Sequence, residues 1–144
     1  MRWVRWVFVL YLAAVLGLTL WPSLDQTSVP GWATSTVAAL ARIGIHTSVA
    51  ALEALSNLVM FLPFGVLGVV LLAYARRAWS LGAVLGAVAL AGFVFSGAIE
   101  TTQLLIPGRV STLQDVLLNG GGGLLGACVA AVLVARFART GMRD

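Results

Sequence analysis

The stretch SGAIETTQLLIPGRVSTLQDVLLNGGGG, residues 96–123, crowds together the carboxylates Glu100 and Asp115, the guanidinium Arg109 and, among its carboxamides, Gln103 and Asn119. Groups of these types can do two kinds of chemistry. A carboxylate near an arginine can serve as base and charge stabiliser. The same set can hold a ligand unchanged, the arginine gripping a phosphate while the acids take amine or hydroxyl groups. Glu100 and Gln103 are three residues apart and Asp115 and Asn119 four apart, so each pair shares a helix face. The short loop between them holds Pro107 and Gly108. These make a turn between antiparallel helices and leave Arg109 at its tip, within reach of Glu100 or Asp115. A second stretch, EALSNLVMFLPFG, puts Glu53 and Asn57 on one face.

Plainer roles compete. Asp115, beside Ser111 and Thr112, can cap the start of a helix and favour its dipole. Glu100 can pair with Arg109, and Asn57 can bind neighbouring helices together. Yet apolar residues continue past Glu100 (Leu104, Leu105, Ile106), which places it inside a membrane boundary. Ionisable groups there are costly and face a cavity or the bundle interior. A polar pocket open to the outside is the functional reading of these residues.

The elements that must position them are membrane helices. Of the 144 residues, 60% are apolar and only 10% charged, and mean hydropathy is +1.01. Such a chain reads as an all-α integral membrane bundle, one domain over residues 1–144. Four segments suit a span: about 4–21, 56–75, 80–106 and 114–135. Arg2 and Arg5 precede the first, but LTLWPSLD after it lacks a small-x-small cleavage site, so we read an uncleaved anchor. All nine basic residues are arginines. With the N-terminus inside, Arg2, Arg5, Arg76, Arg77, Arg136, Arg139 and Arg143 are cytoplasmic, and only Arg42 and Arg109 are outside. Trp3, Trp6 and Trp79 then mark the inner interface, Trp21 and Trp32 the outer one. Both termini of this multi-pass membrane protein are therefore expected in the cytoplasm. Pro22, Pro30 and Gly31 interrupt the chain after the first span. A helix near 33–45, too short to cross, lies in the outer interface or dips back as a re-entrant piece.

A span takes about 20 residues. Counted from Arg76, Trp79 and Arg136, that length reaches Asn57, Glu100 and Asp115. The polar side chains thus come from different helices and converge on one layer near the outer edge of the bilayer.

Other features carry less. Pro63 lies within the second span and should kink it. Gly122 and Gly126, like Gly82 and Gly86, are four apart and suit close helix packing. A phosphate loop needs a lysine, and the chain has none. One cysteine, Cys128, gives neither a disulfide nor a zinc site, and the single histidine, His46, has no second histidine to join. No metal or cofactor is expected. No basic patch with interleaved aromatics indicates nucleic acid.

Several of these residues resemble the VanZ-like family of small bacterial membrane proteins. The resemblance rests on Asn57-Leu-Val-Met-Phe61-Leu-Pro63-Phe-Gly65, Glu100-x-x-Gln103, Pro107-x-Arg109 and Asp115-x-x-x-Asn119-x-x-Gly122-x-x-x-Gly126, over about 53–131. An Asp-Lys and His-Phe signature that some members carry is absent. The name-giving member is associated with low-level resistance to the glycopeptide teicoplanin. The resemblance implies a site at Asn57, Glu100, Gln103, Arg109, Asp115 and Asn119, with Pro63, Gly65, Gly122 and Gly126 shaping the helices, but it names no reaction. The expected function is binding of a lipid-linked or headgroup ligand of the cell envelope, with membrane lipids or a lipid-linked precursor as partners. One alternative is a membrane enzyme acting on an envelope lipid. Ser96 and Ser111 lack a visible base, which leans against it. The other is a subunit of a transporter or channel, which would require an oligomer, since four short helices without a repeat make a poor carrier.

Overall fold

The computed structural model describes residues 1–20, 29–107 and 111–140, with the backbone alone at 29–32 and 138–140. Its helices are α1 (Arg2–Leu20), α2 (Val29–Arg42), α3 (Val49–Ala75), α4 (Leu81–Gln103) and α5 (Leu113–Thr140). No strand occurs among the described residues. α1, α3, α4 and α5 are each long and apolar enough to cross a bilayer. The chain is thus a multi-pass, all-helical membrane protein.

Helix ends follow local chemistry. Ser48 and Ser80 cap α3 and α4, their hydroxyls accepting from the amides of Ala51 (3.1 Å) and Ala83 (3.2 Å). The Ser48 cap starts α3 well before the Ser56 that hydropathy suggested. Glu53 lies in this added part and is exposed. α2 also starts early, at Val29 rather than near 33, so Pro30 and Gly31 belong to its first turn. The missing N–H of Pro30 costs nothing there, because first-turn amides have no helical partner. α2 ends in a Schellman turn. Ile45 N–H reaches the Leu40 carbonyl (3.0 Å), Gly44 N–H the Ala41 carbonyl (3.1 Å), and Gly44 has the positive φ of 83° this requires.

α3 and α5 run parallel and form the most extensive helix contact. Glycine explains it. A methyl group on Gly122 would collide with the Leu58 carbonyl, and one on Gly126 with the Leu62 carbonyl, one turn along. From the other side, a methyl on Gly65 would strike the Gly123 carbonyl and the Ala127 amide. The two backbones therefore touch, and dispersion between close main chains replaces the hydrophobic effect that lipid cannot supply. α3 continues unbroken through the expected kink residue, Pro63, whose exposed ring faces away from this seam. Gly82 and Gly86 do not form such a contact, since nothing lies within 4 Å of a Cβ at either.

α4 runs antiparallel to α3 and α5 and packs on both. The buried centre holds Val15, Phe61, Phe64, Val69, Val84, Val88, Ile99 and Ala127. Phe64 lies 5.7 Å from Phe95 and 5.6 Å from Phe8, measured between ring centroids, so aromatic contacts join α1 to α3 and α4. The Tyr11 hydroxyl adds a 2.7 Å hydrogen bond to the Met60 carbonyl.

This topology separates the charges. Arg2, Arg5, Arg76, Arg77 and Arg136 gather where α1 and α4 start and α3 and α5 end. Arg76 lies over Trp79 (5.7 Å) and Arg77 over Tyr74 (5.0 Å), cation–π contacts suited to an interfacial rim. Glu53, Glu100 and Asp115 lie toward the opposite end.

Candidate functional site

The opposite end is organised around the start of α5. Thr112, not Asp115, is the cap: its hydroxyl oxygen accepts from the Asp115 amide (3.1 Å). Asp115 occupies the third helical position, where a carboxylate favours the helix dipole. One carboxylate oxygen accepts from the Thr112 hydroxyl (2.7 Å) and the other from the Asn57 side-chain amide of α3 (2.5 Å). In a capping box the third-position acid would return to the cap's own amide. Here Glu100 of α4 does so from the neighbouring helix, accepting from Thr112 N–H at 3.2 Å. Asn57, Asp115, Thr112 and Glu100 thereby link three helices in one hydrogen-bonded chain.

Gln103 is 4% exposed, and its amide donates to the Thr19 carbonyl at 2.9 Å. That carbonyl belongs to the last described turn of α1. Gln103 therefore ties α1 to α4. Arg109 lies outside the described residues.

Packing register shows what lies beneath the chain. A Cβ on Gly123 of α5 would come within 3.9 Å of Gly92 Cα on α4. One turn toward the carboxylate end on both antiparallel helices brings Ser96 opposite Asn119, and one turn more brings Glu100 opposite Asp115. Ser96 is 0% exposed, Asn119 2% and Glu100 6%. Ser96 Oγ and Asn119 Oδ1 have no hydrogen-bond partner among the described residues, so the two are not bonded to each other. An unpaired buried polar atom costs roughly 1–3 kcal/mol. Two of them, on facing positions one turn below two carboxylates, make a polar floor that no described residue satisfies.

Of the residues singled out in the sequence, Asn57, Glu100, Asp115 and Asn119 come together in this layer. Gln103 is in the layer but bonds toward α1, and Glu53 stays outside it. Ser96 and Thr112 gain importance that spacing alone did not give them. Ser96 is one turn from Glu100 on the same face, and that offset was the available signal. Among the described residues no three His, Cys, Asp or Glu side chains are grouped to hold a metal. Cys128 is half-buried and free.

The family model described as VanZ/LLP1 matches residues 8–134, which takes in most of α1 as well as the motif-bearing part. No curated protein and no solved structure matches the chain.

Proposed function

The chain belongs to the VanZ/LLP1 family, and on that footing we propose that its polar layer binds a headgroup-bearing ligand of the cell envelope, a lipid or lipid-linked precursor. The observation that carries this reading is the buried, unpaired floor of Ser96 and Asn119 beneath Glu100 and Asp115. A ligand hydroxyl or ammonium can donate to those oxygens and remove their desolvation cost. The layer faces outward when both termini are cytoplasmic, the orientation that the arginine end supports. Arg109, in the loop that joins α4 and α5, is the group for a ligand phosphate. Binding there alters the response to glycopeptides such as teicoplanin.

The test is glycopeptide susceptibility of a host lacking the gene, carrying wild type, Glu100→Gln, Asp115→Asn or Arg109→Ala, with membrane abundance measured for each. We expect wild type to shift susceptibility and the equally abundant variants to lose most of that shift. Variants that act like wild type would reduce the layer to helix capping. A wild type without effect would remove glycopeptide response from the reading.

A further inference from the structure

A cleft of about 330 Å³ opens between α1, α3 and α4 toward the arginine end. Phe8, Phe64, Leu72, Val88 and Ala91 are among its walls, and Arg5 is the one charged residue lining it. Beside it, Arg2, Arg5, Trp6 and Val9 border a shallow groove of about 310 Å³ along one exposed face of α1. Arg5 borders both, so a cationic groove adjoins an apolar slot at that side chain. In a bilayer such a slot fills with hydrocarbon, and the question is whether the groove selects the lipid. Charge decides. Among the described residues neither Arg2 nor Arg5 has a carboxylate partner, since Glu53, Glu100 and Asp115 lie toward the other end. Among the described residues, then, no carboxylate balances these two arginines, and an anion of the surrounding leaflet is suited to do so. Guanidinium forks match phosphate oxygens, and Trp6 suits the headgroup level.

We propose that this groove and cleft form a site for an anionic phospholipid of the leaflet at that end. One acyl chain lies in the cleft against Phe8 and Phe64, and the phosphate lies between Arg2 and Arg5. A zwitterionic lipid fits less well, because its choline brings a second positive charge beside the arginines. The site is independent of the polar layer at the opposite end.

The experiment uses the purified full-length chain in mild detergent, titrated with phosphatidylglycerol or phosphatidylcholine. Binding is read by native mass spectrometry and by thermal unfolding. Each arginine near an anionic surface favours binding by about fivefold. With two arginines, phosphatidylglycerol should therefore form a one-to-one adduct and raise Tm, binding roughly 25-fold more tightly than phosphatidylcholine. Arg5→Gln and Arg2→Gln should each erase about fivefold of that preference, and both side chains are exposed, so the fold should persist. Ala91→Phe should fill the cleft and abolish the adduct with either lipid while lipid-free Tm holds. Arg77→Gln, at the same end but off the cleft, should keep the preference. Equal binding of both lipids would overturn the site. So would an Arg77→Gln loss as large as that of Arg5→Gln, which would reduce the effect to general surface charge.

Discussion

Helix α5 packs one flank on α3 and another on α4, and the two contacts are built by opposite means. Against α3 the backbones meet at Gly65, Gly122 and Gly126, and main-chain atoms occupy the space a side chain would need. Against α4, Gly120 seats the Phe93 ring, and toward the carboxylate end polar side chains face each other, two of which keep a buried oxygen unpaired among the described residues. The first is optimised for holding helices together. The second carries a cost that packing alone would have removed by substitution with apolar residues of similar size. Natural proteins keep such defects where function requires them. The difference gives the two flanks opposite expected responses to substitution.

The largest effect should come from the seam. Gly122→Ala or Gly126→Ala pushes a methyl group into a carbonyl of α3 that no rotamer change can move aside. We expect a loss of about 3 kcal/mol or more, and a matching fall in membrane abundance. Gly121→Ala, one residue away, meets nothing within 4 Å and should be neutral or slightly stabilising. Thermal unfolding of the purified variants checks the contrast. Similar results at positions 121 and 122 would break the account of the seam.

Next comes the hydrogen-bonded chain above the floor. Asp115→Leu strands both the Asn57 amide and the Thr112 hydroxyl, which should cost about 1–3 kcal/mol. Asp115→Asn can still accept from one of them, so its cost should be smaller, about 1 kcal/mol. If Leu were tolerated as well as Asn, the chain would contribute nothing to stability.

The floor itself should respond with the reverse sign. Asn119→Leu and Ser96→Ala each remove an unpaired buried oxygen, so stability should hold or rise by up to about 1 kcal/mol. Any glycopeptide phenotype of the wild type should nevertheless fall. A loss of stability in both variants would mark these residues as structural and remove the main support for a ligand site.

Much of this was legible in the sequence, for identifiable reasons. The spans showed because bilayer thickness fixes their length. Asn57, Glu100 and Asp115 could be brought to one level by counting residues, since helical rise is constant. Which groups bond was not legible, because that depends on register and rotation between helices. Gln103 shares a face with Glu100, yet its amide turns to the end of α1. Thr112 takes the capping role that Asp115 was equally suited to by type. The pattern of glycines four apart occurs twice, but only Gly122 and Gly126 meet another backbone. Spacing can show that a close approach is permitted; the partner's position decides whether it happens.

Gly82 and Gly86 give the smallest expected effect and still sharpen the comparison. Both are helical, exposed and without a heavy atom within 4 Å of a Cβ. Helix propensity alone then favours alanine by at most about 1 kcal/mol per site. Gly82→Ala and Gly86→Ala should therefore raise Tm slightly in detergent, where Gly122→Ala lowers it sharply. A fall at Gly82 or Gly86 instead would mean that something packs on this face of α4, and a second copy of the chain is the first occupant to examine. In that case the fall should fade as the protein is diluted into excess detergent, because a contact between copies depends on concentration whereas the α3–α5 seam does not.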